Sequence, residues 1–217
     1  LANIVRLNEE LMAVVGHDLR NPLNVVLLSG QLLETSFDPD AQKLGSRLLT
    51  SGRKMLRIIE EMLDLSRARL GQGIPIRPST TDLALIAKKT IQAIDTADPP
   101  KVELRAEGDF TGEWDRARLE QVLSDLVRNA MSHDNTGSPV SVHLSEDPDQ
   151  VTVSIHASGH IPAELAERLF DPFQPRTGPR TATDGLGLGL YIAQQIVIAH
   201  GGTLDLTSAV TAGTTFS

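Results

Sequence analysis

A histidine near the start of the chain lies among residues that could support phosphoryl chemistry. Residues 16–22 read Gly-His-Asp-Leu-Arg-Asn-Pro, so on a helix His17 and Asn21 share a face one turn apart. A neutral imidazole nitrogen can attack phosphorus when a neighbouring carboxylate, here Asp18, holds the other ring N–H. Pro22 has no backbone N–H, and we expect it to bend the helix just beyond the histidine. Taken alone, such a histidine is more often an ordinary surface residue.

A second group of residues could bind a metal ion and phosphates. Asp125 and Asn129 are one turn apart in a helical segment, and two oxygen ligands on one face can share Mg²⁺. By itself this pair is weak, because polar pairs at that spacing occur on most solvated helices. Residues 184–190 read Asp-Gly-Leu-Gly-Leu-Gly-Leu and lead into a helix, so backbone N–H groups could approach phosphates there. The spacing fits neither the dinucleotide fingerprint nor the P-loop, and a plain loop remains an alternative.

Two long helices must position the histidine. Apolar residues recur at three- and four-residue steps from Ile4 to Leu33, turn residues occupy 36–40, and a second helical pattern runs from Leu44 to Gly71. An antiparallel hairpin has little core of its own. We therefore expect two copies to close as a four-helix bundle, making a homodimer.

The remainder alternates short strands with helices and predicts an α+β domain with a mostly antiparallel sheet. Glycines and a proline at 71–75 separate the two parts, predicting domains at residues 1–72 and 73–217. A closing strand is expected around Thr215 to Ser217, where the chain stops. The other predicted strands are Val140–Leu144, Val151–Ile155 and Thr203–Leu206, and the predicted helices are Leu83–Ile94, Arg116–Met131 and Leu186–Ala199.

Composition narrows the function classes. The net charge is −8, and all of the excess acid lies beyond residue 72. A nucleic-acid binder needs a basic face to displace counterions from phosphates, so this charge argues against direct DNA binding. There is no cysteine, and no apolar run reaches the roughly 20 residues that cross a bilayer. We expect a cytoplasmic protein, and we expect a sensor domain, and any membrane anchor that the whole protein has, to lie outside this chain.

The motifs together resemble those of two-component sensor histidine kinases. His17, Asp18, Asn21 and Pro22 match the family's H-box without a gap. The resemblance implies that His17 accepts the phosphoryl group, that Asp18 supports phosphotransfer, and that Asn21 positions the water that dephosphorylates a response regulator.

The rest of the chain resembles the ATPase part of the same family, in the family's order. Residues 115–130 are similar to its N-box, 169–173 to its F-box, 185–189 to its second glycine box and 213–216 to its last. The resemblance implies a Bergerat-type α/β sandwich that binds ATP, with Mg²⁺ on Asp125 and Asn129. It further implies nucleotide binding by His133, Gly159, Phe170, Phe173, Gly185, Gly187, Gly189, Leu190, Thr214 and Thr215.

The first glycine box departs from the family pattern. The family's aspartate, which accepts the amine of adenine, has Ala157 nearest its position. Asp125 replaces the usual Asn, Ser132 a common Lys, and the lid at 174–184 is short. We expect a protein-histidine kinase that phosphorylates a response regulator receiver domain, but with weak ATP binding. The alternatives are a protein that is predominantly a phosphatase of its regulator, and a non-catalytic docking scaffold. The sequence of residues 16–22 together with this altered first glycine box is similar to bacteriophytochrome output modules.

Overall fold

The structure, a computed structural model, describes residues 2–95, 101–133, 138–148, 150–173 and 186–217. Within these ranges, side chains are described from residue 18 onward, apart from that of His133. The chain divides into a helical unit that includes Leu1–Gly73 and an α/β unit formed by Ile74–Gln174 and Gly189–Ser217. No helix in the described ranges is long and apolar enough to cross a membrane.

The helical unit is a hairpin of α1 (Ala2–Glu34) and α2 (Pro39–Arg69). The two predicted helices are confirmed, and α2 begins inside the predicted turn. Asp38 caps it, because its side chain accepts the N–H of Asp40 at 3.0 Å and Pro39 supplies a preset φ at the first helical position.

Glycines let the two helices approach closely. A Cβ on Gly45 would lie 2.6 Å from the backbone N of Glu34 and 2.7 Å from the carbonyl O of Gly30. Backbone atoms cannot give way to a methyl group, so the contact requires glycine. Leu49 is buried beside this contact, with its Cγ 3.0 Å from where a Cβ on Gly30 would lie, and Leu23 is buried near Gly52.

Other apolar side chains of the hairpin remain exposed. We call this set the open stripe; on α1 it consists of Val25, Leu28 and Leu32, which are 66%, 62% and 70% exposed at helical spacing. Leu44 and Met55 of α2 are also exposed large apolar residues. One hairpin alone therefore leaves an uncovered apolar surface.

The α/β unit contains a five-stranded sheet and a layer of helices. Its elements are β1 (Ser79–Asp82), α3 (Leu83–Ile94), β2 (Val102–Ala106), β3 (Thr111–Trp114), α4 (Arg116–His133), β4 (Val140–Asp147), β5 (Gln150–Ala157), α5 (Ala163–Ala166), α6 (Gly189–Ala199), β6 (Leu206–Ala209) and β7 (Gly213–Phe216). The sheet order is β2-β4-β5-β7-β6, with only the β2–β4 pairing parallel, and β1 pairs with β3 separately. The predicted α+β class and mostly antiparallel sheet are confirmed.

The core lies between one sheet face and the helices. Val142, Leu144 and Ile155 of the sheet are at most 1% exposed, and Ile192 of α6 and Val127 of α4 are fully buried. Helix α4 contacts both α3 and α6 and packs on β4 and β5. Alternation along β4 sends every second residue into this core, as expected of a half-buried strand.

Several predicted boundaries differ from the structure: α4, β4 and β5 run two or three residues further than predicted, and α6 and β6 begin later. Helix α6 begins at Gly189, not Leu186, because Gly187 has a φ of 73°. A right-handed helix cannot contain a residue in this left-handed conformation, so α6 starts after it. The strand predicted at Thr203–Leu206 is instead Leu206–Ala209, because its register is set by antiparallel pairing with β7. The expected closing strand is confirmed as β7, although it starts earlier, at Gly213, and lies between β5 and β6.

Candidate functional site

The predicted phosphoacceptor residues all lie in α1. Asp18 and Asn21 are exposed, whereas Leu23 is buried, so the two polar side chains are accessible to a partner molecule. The backbone at His17 is helical, but its side chain lies outside the described residues. Pro22 is inside the helix, as predicted.

The start of α4 is fixed by Asp115, which sequence reasoning did not single out. One carboxylate oxygen accepts the N–H of Arg118 at 3.1 Å, and the other accepts the N–H of Arg77 at 2.7 Å. The N–H of Asp115 itself donates to Nε2 of His200 at 3.1 Å, and Nδ1–H of His200 donates to the carbonyl of Ile196 at 2.9 Å. Asp115 therefore joins the start of α4 to the end of α6.

The environment of Asp115 favours its charged form. Burial acts to raise the pKa of this carboxyl, but the backbone N–H groups of Arg77 and Arg118 and the charge of Arg118 outweigh it. The pKa is consequently held below its ordinary value of 3.8. Hydrogen bonds and charge thus keep the capping residue ionised.

Asp125 and Asn129 are buried side by side on α4, at 8% and 7% exposure. Among the described residues, Oδ1 of Asn129 has no hydrogen-bond partner. A buried acceptor without a partner costs about 1–3 kcal/mol, which a bound cation would offset. The oxygens of this amide and carboxylate are the donors that Mg²⁺ prefers, so the pair fits the predicted ion.

Helix α6 begins against this pair. A Cβ on Gly189 would lie 3.2 Å from Oδ2 of Asp125, so glycine permits the close approach. The structure thus brings Asp125, Asn129 and Gly189 together, with Leu190 next in the first turn of α6. Phe170 is half-buried, and Phe173 is exposed with a φ of 65°. Gly185, the side chain of His133 and the lid at 174–184 lie outside the described residues, so their roles stay predictions.

The first and last glycine boxes meet on β5 and β7. Ala157, 2% exposed, pairs in register with Thr214, 5% exposed, on the inner face of the sheet. His156 pairs with Thr215 on the opposite face, and its Nδ1 lies 3.0 Å from that hydroxyl. Ala157 therefore lies on the inner face of the sheet, and its correspondence to the family's aspartate stays a prediction.

The close contact of these boxes depends on Gly213. Its φ is 75°, and a Cβ there would lie 2.3 Å from the carbonyl O of Ala157. Thr214 then donates its hydroxyl to the carbonyl of Gly159 at 2.7 Å. Of the predicted nucleotide-binding residues, Gly159 and Thr214 are therefore joined by a hydrogen bond, while Thr215 lies on the outer face of the sheet.

Known families match both parts of the chain. Residues 7–71 match the His Kinase A (phospho-acceptor) domain. Residues 114–217 match the histidine kinase-, DNA gyrase B-, and HSP90-like ATPase family. The chain belongs to the sensor histidine kinases.

Relatives of this histidine kinase module support the same assignment. The bacteriophytochrome of Pseudomonas aeruginosa is 35% identical over 209 residues, which cover 94% of this chain and 28% of that protein. The circadian input-output histidine kinase CikA of Synechococcus elongatus is 29% identical, covering 96% and 29% respectively. The module thus spans less than a third of the length of these relatives.

Solved histidine kinase structures share the fold. Full-length ShkA in complex with AMPPNP has a TM-score of 0.70 and 26% identity, covering 95% of this chain and 44% of that chain. The Acinetobacter baumannii histidine kinase AdeS has a TM-score of 0.61 at 24% identity, covering 92% and 94%. The helical part followed by an α/β ATPase-type part is therefore that of a histidine kinase.

Proposed function

We propose that this module binds ATP with Mg²⁺, transfers the γ-phosphoryl group to His17, and passes it to an aspartate of a response regulator receiver domain. The observation that carries the proposal is the buried Asn129 oxygen, which lacks a hydrogen-bond partner among the described residues and lies on the same helix face as Asp125. ShkA, which shares this fold, was solved in complex with AMPPNP, and this supports nucleotide binding by the present module.

Each end of the nucleotide has candidate partners in the α/β unit. Asp125 and Asn129 would hold Mg²⁺, which when bound neutralises phosphate charge. The N–H groups at the start of α6, at Gly189 and Leu190, would donate to phosphate oxygens, helped by the helix dipole. The base would lie at the Ala157–Thr214 end. We expect Thr214 and Gly159 to contact it.

Phosphotransfer requires the hairpin as well. The imidazole nitrogen of His17 forms a bond to the γ-phosphorus while the bond to the β,γ-bridging oxygen breaks, and ADP leaves with that electron pair. Asp18 holds the other ring N–H. We propose residues 1–72 as the dimerising phosphoacceptor domain and 73–217 as the ATP-binding domain, with a sensor domain elsewhere in the whole protein.

Replacing the phosphoacceptor tests this proposal. His17→Gln should remove all acid-labile phosphate incorporated from γ-labelled ATP, because glutamine cannot form the phosphoramidate. The control is His143→Gln on the exposed face of β4, which should label like the parent. Label that survives in His17→Gln and maps to His133, His143 or His200 would contradict the assignment.

A second candidate function is dephosphorylation of the regulator. It is favoured by Ala157, whose side chain is a methyl group with no carboxylate to offer the base, and by the exposed amide of Asn21. A water-activating amide on the hairpin needs a docked phospho-aspartate but no adenine. The module would then act mainly in removing phosphate.

A further inference from the structure

Two hydroxyl groups join neighbouring strands beside the base end of the site. Ser208 of β6 and Thr214 of β7 are directly opposite each other, and their oxygens are 2.7 Å apart. Ser208 Oγ also accepts the N–H of Ile161 at 2.9 Å, and Thr214 donates to the carbonyl of Gly159 at 2.7 Å. We call these groups the hydroxyl pair. It bonds the loop at 158–162 at two points.

The hydrogen bonds of this pair have a single direction. A backbone N–H can only donate, so Ser208 accepts from Ile161, and a carbonyl can only accept, so Thr214 donates to Gly159. The proton of Ser208 is therefore the one that lies between the two hydroxyls. Thr214 is left with one lone pair, so any further contact that it makes to a ligand is as an acceptor.

Removing Ser208 would disturb both strands and loop. The N–H of Ile161, a residue only 5% exposed, would lose its acceptor, and Thr214 would lose the donor that fixes its hydroxyl. The loop begins directly after Ala157, whose methyl group offers no hydrogen bond. Among the described residues, the hydroxyl pair supplies the side-chain hydrogen bonds that β6 and β7 make to this loop.

We infer that Ser208 is a positioning residue for the nucleotide site, acting on the base through Thr214 and the Gly159 loop without touching the nucleotide. This inference rests on the proposed function, because it assumes that the base lies beside Ala157 and Thr214. In the proposed function the phosphates would lie at Asp125, Asn129 and Gly189, and no described hydrogen bond joins the hydroxyl pair to these residues. Ser208 should therefore affect binding of the base and spare binding of the phosphates.

The test compares Ser208→Ala with two matched variants of the whole chain. Ser208→Thr keeps the hydroxyl, and Thr207→Ala removes the adjacent, exposed hydroxyl of the same strand. The measurements are amide hydrogen exchange and the dissociation constants of Mg²⁺–ATP and of Mg²⁺–tripolyphosphate, which has no base. Thermal unfolding without nucleotide reports any general loss of stability.

Ser208→Ala should speed exchange at residues 159–161 and weaken ATP binding by roughly 5- to 20-fold, the scale of one or two neutral hydrogen bonds. Tripolyphosphate binding should change by less than about 2-fold, and both control variants should behave as the parent. Unchanged exchange at 159–161 would overturn the inference, as would equal losses for ATP and tripolyphosphate. Faster exchange with unchanged ATP affinity would make Ser208 merely structural. A parent that binds tripolyphosphate but not ATP would refute the proposed function and the positioning role together, leaving only the exchange effect.

Discussion

At the scale of single residues, we expect Ala157 to determine how firmly the base of ATP can be held. Its side chain lies on the inner face beside Thr214, and a methyl group cannot accept the amine of adenine. A hydrogen bond to a charged group is worth about 1.5–3 kcal/mol. Weak ATP binding is therefore the expected property of the parent chain.

Restoring the carboxylate should restore affinity. Ala157→Asp is expected to tighten ATP binding by roughly 10- to 100-fold, because a gain of about 1.5–3 kcal/mol in binding free energy corresponds to that change in dissociation constant. Calorimetric titration of both proteins measures it. Ser158→Asp places the same charge one residue later, at an exposed position, and should give no gain. Equal affinities for the parent and Ala157→Asp would mean that another group reads the base.

Asn21 tests the phosphatase candidate. Its exposed amide can both donate to and accept from a water aimed at a docked phospho-aspartate. Asn21→Ala should slow dephosphorylation of the cognate regulator by about 10- to 1000-fold, while phosphorylation of His17 stays largely unchanged. The decay of phosphorylated regulator is followed with each protein, with Asn24→Ala, an exposed residue of the same helix, as the control. Identical decay with the parent and Asn21→Ala would remove this function.

At the scale of elements, Asp115 ties α4 to α6 and to the segment before β1. Because its folded pKa lies below the ordinary value of 3.8, its stabilisation is fully present above that value and is lost as pH falls through the folded pKa. Asp115→Asn should thus lower the free energy of unfolding by about 1–2 kcal/mol at pH 7. The deficit should shrink below pH 3.8.

Denaturant unfolding at pH 7 and at pH 3 measures this difference. Asp147→Asn, an exposed carboxyl at the end of β4, is the control and should stay close to the parent at both pH values. A deficit of the same size at both pH values would show that the shape of the residue matters and its charge does not.

Elements with a clear apolar period could be predicted from the sequence. The hairpin, α3 and α4 follow from helical apolar spacing, and β4 and β5 from strict alternation of apolar residues over 140–144 and 151–155. Strands β1 and β3 have four residues each and no apolar alternation, so the sequence gives no signal for them, whereas β2 alternates at Val102, Leu104 and Ala106 and was overlooked. Strand β6 was misplaced, since pairing with β7 fixes it and pairing is a tertiary property.

At the scale of the whole molecule, the same limit applies to the site. The phosphoacceptor residues and the Asp125–Asn129 pair are local patterns, one turn apart on a helix, and the sequence displays them. The contact of Gly189 with Asp125 and the bond from Ile161 to Ser208, 47 residues away, arise only when the sheet and helices assemble. Ser208 was missed for that reason. Asp115 does carry a local signal, since an Asp directly before a helix is a common cap, but its hydrogen bonds to Arg77 and His200 arise only in the folded chain.

The open stripe predicts how two molecules associate. Val25, Leu28 and Leu32 lie on one face of α1, and burying a leucine is worth about 1.5–3 kcal/mol, counted twice in a symmetric dimer. We therefore expect the parent to be a dimer at micromolar concentration, and Leu28→Glu to raise the dissociation constant by at least about 100-fold. Analytical ultracentrifugation measures both, with Val210→Glu, which changes an exposed apolar residue of the α/β unit, as the control that should remain dimeric. Circular dichroism verifies that the helices persist in each variant. A parent that is monomeric with a stable, folded hairpin would contradict the bundle, because its apolar face would then be stable in water without a partner.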